Sequence, residues 1–281
     1  MILDGNVISI SKMDYIKKEI DSIKNTHGIE PELKLIQVGN DSASTIYANA
    51  KIKRGKKLGI NVTLDKYDAI DERGLASIIK KHSENVNIHG IMIESPLPYN
   101  IDYNKIIRNV PYYKDTDGLN PYNLGNLDLR NESIAPATAR AVIDILEYYG
   151  FMDGNVCIIN RSAVVGRPLS MMLLNRNYTV TLCHSKTPNI QEISVRSNVI
   201  VVAVGKKNFL NEKYITDKSI VVDVGINYEN NHIYGDADFD GINKIVKAIT
   251  PVPGGVGPVT ATDIFHNFLN GLKIQLEPEF R

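Results

Sequence analysis

The chain lacks tryptophan and contains two cysteines among its 281 residues. Cys157 and Cys183 both lie in apolar runs, which predicts buried thiols rather than a disulfide framework. The cysteines and histidines do not have the spacing of a metal site, so no metal is expected. Lys and Arg together number 32 and are balanced by 32 Asp and Glu. Net charge therefore gives no reason to expect nucleic acid or an acidic membrane surface as a partner.

Long apolar runs are also missing. No stretch approaches the length that spans a membrane, and the first residues lack the basic start and apolar core of a signal peptide. We therefore expect a cytoplasmic protein without a membrane partner. The composition, 43% hydrophobic and 23% charged, is ordinary for a globular protein. The length is sufficient for two domains.

Strand-like and helix-like patterns alternate through the first half of the chain. The spacing of apolar residues predicts helices over 11–25, after Asp41 or Ser42, and over 71–83, with strands at 33–38, 60–64 and 88–93. This alternation predicts a mostly parallel α/β sheet. Functional side chains in such sheets gather where strands end and helices begin. Glu94 directly follows the third strand, beside the stiff segment Pro96-Leu97-Pro98.

Tyr47 and Lys51 stand four residues apart on the predicted helix that follows the first strand. This spacing places both side chains on one helix face, where a ring, a hydroxyl and a proton carrier could act on one ligand. Taken alone, the simpler interpretation is an incidental pair on a half-exposed helix. The rest of the chain has to decide between the two.

Residues 111–127 are rich in Pro, Gly, Asn and Asp, as is typical of a hinge between domains. Asp115 and Asp117 could bind a ligand here, although capping of a turn is the commoner use of Asp-x-Asp-Gly. A second α/β unit is predicted beyond this segment, with a helix over 138–149 and strands at 156–159, 179–183, 199–204 and 220–224.

The loop after the first strand of this second unit, Asn160 to Pro168, leads into a helix, which is the arrangement of a phosphate-binding cradle. The G-x-G-x-x-G fingerprint is absent, since only Gly166 remains. The next strand ends in His184-Ser185-Lys186-Thr187 without the acidic residue that NAD sites use, while Arg161 lies in the first loop. This pattern favours the 2′-phosphate of NADP in a Rossmann-type sheet. Ordinary loop polar residues are the alternative.

The stretch from Thr250 to Thr260 is rich in glycine and proline, which suits a rigid backbone that lines a ligand site. An apolar helix is predicted after it, from about 261 to 273.

Several stretches in order resemble the bifunctional methylenetetrahydrofolate dehydrogenase/methenyltetrahydrofolate cyclohydrolases. They are Val38-Gly39 with Ser44, Tyr47 and Lys51; Pro96-Leu97-Pro98; Lys114-Asp115-Thr116-Asp117-Gly118; Arg161-Ser162 with Val165, Gly166 and Pro168; His184-Ser185; Asp223-Val-Gly-Ile-Asn227; Gly235-Asp-Ala-Asp-Phe239; and Pro251-Val-Pro-Gly-Gly-Val-Gly-Pro258. They extend over nearly the whole chain. The last motif and the Tyr-x-x-x-Lys context are the most specific.

The resemblance implies two α/β domains with a cleft between them. The expected folate/catalytic domain comprises residues 1–118 and a C-terminal helix at 259–281, and the Rossmann-type NADP domain comprises residues 119–258. It also implies a homodimer that oxidises methylenetetrahydrofolate with NADP and hydrolyses the methenyl product to formyltetrahydrofolate. These tetrahydrofolate one-carbon derivatives serve one-carbon metabolism and purine biosynthesis.

The same resemblance assigns roles to residues of this chain. Tyr47 corresponds to the ring that stacks on the pterin, Lys51 to the catalytic lysine and Asp117 to a pterin-binding carboxyl, with Glu94 as a further catalytic position. Substrate contacts are implied for Ile93, Glu94, Ser95, Pro253, Gly254, Gly255, Val256 and Gly257. Cofactor contacts are implied for Asn160, Arg161, Ser162, Ser185 and Ile226.

The chain departs from the family pattern at four positions. Glu94 replaces a glutamine, Asn160 a glycine, and Ala137 and Ala139 a cysteine and a proline. An ionised Glu94 favours the ammonium form of Lys51 and makes it a poorer base, whereas a protonated Glu94 can mimic glutamine as a donor. A dehydrogenase with weakened hydrolysis is therefore the alternative function. Asn160 tolerates positive φ but places a side chain where backbone should approach the diphosphate.

Two rival interpretations stay open. Short-chain dehydrogenases also pair Tyr and Lys four apart, but their pair follows the nucleotide loop, whereas Tyr47 and Lys51 precede the loop at Asn160. The second rival is a folate- or nucleotide-binding module without catalysis. Formation of methenyl product or NADPH from methylenetetrahydrofolate distinguishes them.

Overall fold

The computed structural model describes residues 1–229 and 232–277. The elements of the first half are α1 (Gly5–His27), β1 (Glu32–Val38), α2 (Ser42–Leu58), β2 (Asn61–Tyr67), α3 (Glu72–Glu84), β3 (Gly90–Ile93), α4 (Tyr103–Ile106), α5 (Pro121–Asp128) and α6 (Ala137–Tyr148). Those of the second half are β4 (Asn155–Ile159), α7 (Gly166–Leu174), β5 (Thr179–Cys183), α8 (Ile190–Ser194), β6 (Val199–Val202), β7 (Ile220–Asp223), β8 (Asn227–Glu229), β9 (His232–Tyr234), α9 (Phe239–Ile242), β10 (Ala248–Ile249) and α10 (Val256–Leu276).

The chain divides into two compact units. The three-stranded unit comprises Lys12–Asn126, Asn131–Ala135 and the described residues from Ile264 onward. The five-stranded unit comprises Met1–Ser11, Leu127–Arg130 and Pro136–Asp263. The domain boundaries expected from the sequence, at residues 118 and 259, stay a prediction.

The three-stranded unit is built on a parallel sheet with the strand order β2-β1-β3. From β1 the chain goes to a neighbour on one side and then returns to the other side, so the carboxyl ends of β1 and β3 flank a topological switch point. Ligands of open α/β sheets bind at such points. The chain near Asp115 runs beside β3, where the Ile91 amide donates to the Lys114 carbonyl oxygen over 2.7 Å. Three segments therefore converge at this edge.

The five-stranded unit has a parallel sheet in the order β10-β7-β6-β4-β5. All four residues of β6 are buried, as expected for strands covered on both faces. β4 lies between β5 and β6, which puts the switch point of this sheet at the end of β4. Cys157 and Cys183 are buried free thiols of its core, as the sequence predicted, with their sulfur atoms 3.7 Å apart. The mostly parallel α/β architecture is thus confirmed.

Three predicted boundaries were wrong. α1 begins at Gly5 rather than at residue 11. The segment expected to be an irregular hinge contains α5, which starts at Pro121, and α10 starts at Val256, inside the Gly/Pro stretch. The physical reason is the same in both helices, since the amide groups of a first turn have no intrahelical partner and proline is tolerated there. No helix within residues 1–229 and 232–277 is long and apolar enough to cross a membrane.

Candidate functional site

Lys51 and Glu94 form a buried ion pair in the three-stranded unit. The Lys51 Nζ lies 2.8 Å from Glu94 Oε1 and 2.7 Å from Oε2, so the ammonium contacts both carboxylate oxygens. Only 12% of the Lys51 side chain and 4% of the Glu94 side chain are exposed. One lysine nitrogen in contact with both oxygens of a carboxyl group is the geometry of a charge-assisted pair. Breaking this contact from either side would leave a buried charge unpaired.

The start of α2 explains why Lys51 reaches this position. Asp41 caps the helix, because its Oδ1 accepts a hydrogen bond from the Ser44 amide over 2.7 Å. Gln37, at the end of β1, is 1% exposed and donates to Thr45 Oγ1 over 3.0 Å. The strand end and the first helical turn are thereby joined by side chains. Lys51 follows on the third turn of a helix whose direction is fixed at its beginning.

Glu94 is held from the other side of the switch point. Its amide donates to the Ile36 carbonyl oxygen over 2.8 Å, which continues the pairing of β3 with β1 by one residue. Ser95 and Pro96 after it are exposed, and the peptide bond between them is cis. Ile93 is 2% exposed and packs in the hydrophobic core, so a ligand can meet only its backbone.

Asp115 and Asp117 have different roles. Asp115 is 1% exposed and accepts hydrogen bonds from the amides of Asp117, Gly118 and Asn120 and from Asn123 Nδ2. This is the turn-capping use that the Asp-x-Asp-Gly pattern indicated. The Asp117 carboxyl accepts no hydrogen bond from the described residues. Burial, followed by the charge of Asp115, raises its pKa to about 7, although the Lys51 charge acts in the opposite direction.

Tyr47 and Lys51 share one face of α2, as the spacing predicted, and Tyr47 is 40% exposed. A half-exposed ring near a buried ion pair can stack on a planar ligand. The three-stranded unit thus offers a ring, an ion pair and a carboxyl that titrates near neutrality. Such a combination is typical of a site for proton transfer.

The loop after β4 is closed by the side chain of Asn160. Asn160 Oδ1 accepts from the amides of Ser162, at 2.8 Å, and Gly166, at 2.9 Å, while Nδ2 donates to the Ala203 carbonyl oxygen over 2.5 Å. Asn160 therefore links the ends of β4 and β6 to the first turn of α7. Its φ is not positive, so tolerance of positive φ is not the reason for asparagine here. It also takes two amides that a phosphate would otherwise use.

The other cofactor positions expected from the sequence are exposed. Arg161 and Ser162 follow Asn160, and Ser185 follows β5, which pairs directly with β4 up to Ile159 and Cys183. The two loops therefore lie side by side. Their exposed guanidinium and hydroxyl groups fit an anionic phosphate, and neither loop carries an acidic residue. Ile226, after β7, is 49% exposed.

Asp236 is a bracing residue that sequence reasoning did not single out. It is fully buried and accepts hydrogen bonds from the amides of Val204, Gly205 and Lys206 and from Asn227 Nδ2, at 2.5 to 2.9 Å. It holds the loop after β6 against the strand that follows Ile226. Its motif, Gly235-Asp-Ala-Asp-Phe, was the available signal, but spacing alone did not reveal the contacts.

The Gly/Pro stretch belongs to the five-stranded unit. Gly254 has φ +107°, a conformation that side chains disfavour, and its carbonyl oxygen accepts from the Gly5 amide over 2.8 Å. Pro253 is exposed, and Gly255 is buried. Val256 and Gly257 begin α10 rather than ending a loop. Ala137 and Ala139, the lesser departures from the family pattern, are buried in the first turn of α6.

Replacing Asn160 with alanine should lower the thermal stability of the ligand-free protein. Three hydrogen bonds of about 0.5–1.5 kcal/mol each are lost, and two amides are left without a protein partner. We expect a loss of about 2 kcal/mol, measured by calorimetry or circular dichroism. Ser162→Ala is the matched control, since Ser162 Oγ accepts a single bond, from the Val165 amide. Equal melting temperatures for the two variants would contradict the bracing role of Asn160.

Comparison with known proteins yields two family models that together span most of the chain. Residues 3–117 match the catalytic domain of tetrahydrofolate dehydrogenase/cyclohydrolase, and residues 136–276 match its NAD(P)-binding domain. The chain belongs to this family. The resemblance stated from the sequence is therefore confirmed, and the short-chain dehydrogenase interpretation is wrong.

Relatives within the tetrahydrofolate dehydrogenase/cyclohydrolase family cover nearly the whole chain. A protein of Picrophilus torridus, named bifunctional protein FolD, is 60% identical over 99% of this chain and 100% of its own. The crystal structure of the bifunctional methylenetetrahydrofolate dehydrogenase/cyclohydrolase from Thermoplasma acidophilum is 52% identical, with a TM-score of 0.93 over 98% of this chain and 99% of that one. A dehydrogenase-cyclohydrolase from Trypanosoma brucei, solved with NADP and an inhibitor, is 29% identical, with a TM-score of 0.93 over 99% and 98%.

Proposed function

We propose that the protein oxidises methylenetetrahydrofolate to methenyltetrahydrofolate with NADP and then hydrolyses the product to formyltetrahydrofolate. The observation that carries this proposal is the grouping of Lys51, Glu94 and Asp117 at the switch point of a family member. Both activities appear in the family description and in the names of the relatives. A dehydrogenase without hydrolysis receives no support from these comparisons.

The oxidation requires mainly that the protein orient the substrate relative to the cofactor. The methylene carbon of the substrate gives up a hydride, and the folate becomes a methenyl cation. Bound NADP supplies the hydride acceptor. Tyr47 stacks on the pterin and Asp117 hydrogen-bonds it, so that the reacting carbon is held in one direction. Substrate contacts are proposed also for the backbone at Ile93, for Ser95 and for Pro253, Gly254, Gly255, Val256 and Gly257.

The hydrolysis requires proton transfer. Water attacks the methenyl carbon, and one carbon–nitrogen bond then breaks to open the ring. A proton has to leave the attacking water, and another has to reach the nitrogen that departs. Lys51 is the proposed carrier, because its amine is buried at the site and can alternate between donor and acceptor. Glu94 holds the ammonium form in place.

NADP is the proposed cofactor, held by Asn160, Arg161, Ser162, Ser185 and Ile226. The basic and hydroxyl side chains of two adjacent loops and the absence of an acid after β5 suit a 2′-phosphate. Asn160 differs from the other cofactor positions, because its side-chain oxygen already accepts hydrogen bonds from the backbone amides of Ser162 and Gly166. We therefore assign phosphate recognition to side chains more than to the loop backbone.

A two-part spectrophotometric assay tests the proposal. Purified protein is given methylenetetrahydrofolate with NADP or with NAD, and formation of NAD(P)H and of the methenyl product is followed by absorbance. Methenyltetrahydrofolate is then supplied alone, and its disappearance is followed across pH. We expect NADP-dependent oxidation and enzymatic hydrolysis. Binding of folate without either reaction would instead support a non-catalytic module.

The proposal includes a cytoplasmic homodimer, as the resemblance and the sequence led us to expect. Light scattering on the purified protein gives the mass of the assembly, to be compared with the 31.3 kDa of one chain. A monomeric mass in the active sample would overturn the dimer and leave the activity unaffected.

A further inference from the structure

Tyr103, the first residue of α4, carries a polar group that the described structure does not use. Its hydroxyl is completely buried and has no hydrogen-bond partner within residues 1–229 and 232–277. Its ring packs on the hydrophobic core that contains Ile93 and Ile106. A phenylalanine would fill the same space without the cost of burying an unpaired hydroxyl. Packing alone therefore does not explain a tyrosine here.

The surroundings of the hydroxyl point to a use. The hydrophobic core on which the ring packs contains Ile93, next to Glu94, and Leu119, two residues after Asp117, so the phenol lies near the acidic groups of the site. Burial, followed by the charges of Asp117, Asp115 and Glu94, raises the pKa of Tyr103. Asp115 has its acceptor positions filled by four donors, and Glu94 is bound to Lys51. The Asp117 carboxyl has no donor in the described residues. Within the described residues, a buried donor without an acceptor thus lies near a partly buried acceptor without a donor.

We propose that Tyr103 is a positioning residue for Asp117, whose carboxylate receives a hydrogen bond from the Tyr103 hydroxyl when substrate is bound. This inference rests on the proposed function, since it concerns how Asp117 is held toward the pterin. The bond would keep the carboxylate in one orientation. It would also favour the ionised form of Asp117, which is the form that accepts hydrogen bonds from a ligand.

The charge environment fixes the direction of the pH effect. Burial and neighbouring carboxylates already raise the pKa of Asp117 to about 7. A donor that stabilises the carboxylate opposes this rise, so its removal should move the titration further upward. The charged groups at the site are Lys51, Glu94 and Asp115. Those on the elements packed against it are Asp102 and Lys105 at α4 and Glu72 at the start of α3.

The test is Tyr103→Phe, which removes only the hydroxyl. We expect the KM for methylenetetrahydrofolate to rise about ten-fold, as for loss of a hydrogen bond to a charged group, while kcat changes less than about two-fold. The acidic limb of the kcat profile, which reports the enzyme–substrate complex in which the bond is made, should move to higher pH. The melting temperature should be equal to or higher than that of the unmodified protein, because an unpaired buried hydroxyl is removed.

Tyr67→Phe is the matched control. Tyr67 packs on the same hydrophobic core, but its neighbouring carboxylate is Asp65 on β2, which β1 separates from β3 and from the Asp115–Asp117 segment. Tyr67→Phe should leave KM and the pH profile unchanged. Unchanged KM and pH profile in Tyr103→Phe would overturn the inference, and so would a lower melting temperature, because that result would show a structural bond. The unmodified protein is assayed in parallel, so that its inactivity would overturn the proposed function separately.

Discussion

Lys51→Met should reduce hydrolysis of methenyltetrahydrofolate by about 10²–10⁴-fold in kcat, the range for loss of a general acid–base group. Methionine keeps most of the length and volume of the lysine stem but cannot carry a proton. Oxidation of methylenetetrahydrofolate should fall less, because hydride transfer depends mainly on how the rings are oriented. The two assays of one variant therefore separate proton transfer from binding.

The matched control for this variant is Lys34→Met. Lys34 is also a largely buried lysine of the three-stranded unit, 13% exposed in its side chain, and it pairs with Asp65 over 3.2 Å. Its loss removes a comparable ion pair away from Glu94 and Asp117. Equal losses of hydrolysis in the two variants would contradict a catalytic role for Lys51 and would indicate a general effect on folding.

Thermal stability gives an independent measure of the interaction between Lys51 and Glu94. Lys51→Met leaves the Glu94 carboxylate buried without a partner, a situation that costs about 3–5 kcal/mol in other proteins. The double variant Lys51→Met, Glu94→Gln lacks both charges of the pair, so its melting temperature should recover most of the loss. Melting curves of the two single variants and the double variant form the cycle that measures the coupling.

Glu94→Gln should increase the rate of hydrolysis at neutral pH by about ten-fold, which corresponds to about 1.4 kcal/mol. The ammonium of Lys51 is in contact with both Glu94 oxygens. Loss of a proton from Lys51 would therefore leave the buried Glu94 carboxylate without a positive partner. A neutral amide removes that penalty and still offers an oxygen to the lysine. The pH profile of hydrolysis should accordingly reach its plateau at a lower pH in the variant.

The measurement is the rate of methenyl hydrolysis from acidic to alkaline pH, with oxidation recorded on the same samples. Glu94→Asp serves as the control, because it keeps the negative charge and should keep the profile of the unmodified protein on the pH axis. Superimposable profiles for Glu94→Gln and the unmodified protein would show that the charge of Glu94 does not limit Lys51.

Much of this fold can be predicted from the order of the residues. Apolar runs with strand spacing and helices between them predict parallel sheets, because only parallel strands need such crossovers. The boundaries that failed involve proline and glycine. Pro121 and Pro258 look like loop residues in sequence, but both lie in first helical turns, where a missing amide is harmless. Local composition does not distinguish these two situations.

Some features of the candidate site could also be predicted from the sequence, and others could not. Tyr47 and Lys51 share a face because a helix repeats every 3.6 residues, which holds wherever the helix lies. Asp115 was correctly expected to cap a turn, since its partners are two to eight residues away. Tyr103 and Asp236 escaped notice because their significance depends on partners from distant parts of the chain, or on the lack of them.

The sequence by itself determined the alternation of elements, the cysteine chemistry, the face shared by Tyr47 and Lys51 and the family. All of these follow from short-range periodicity or from residues in a fixed order. Only the tertiary structure decided that Lys51 is bound by both oxygens of Glu94 and that the Asp117 carboxyl has no donor among the described residues. It also decided that the Asn160 side chain occupies the amides of its own loop. Those properties depend on distances between strands that are far apart in the chain and on the water that their packing excludes, and both exist only after the sheets have formed.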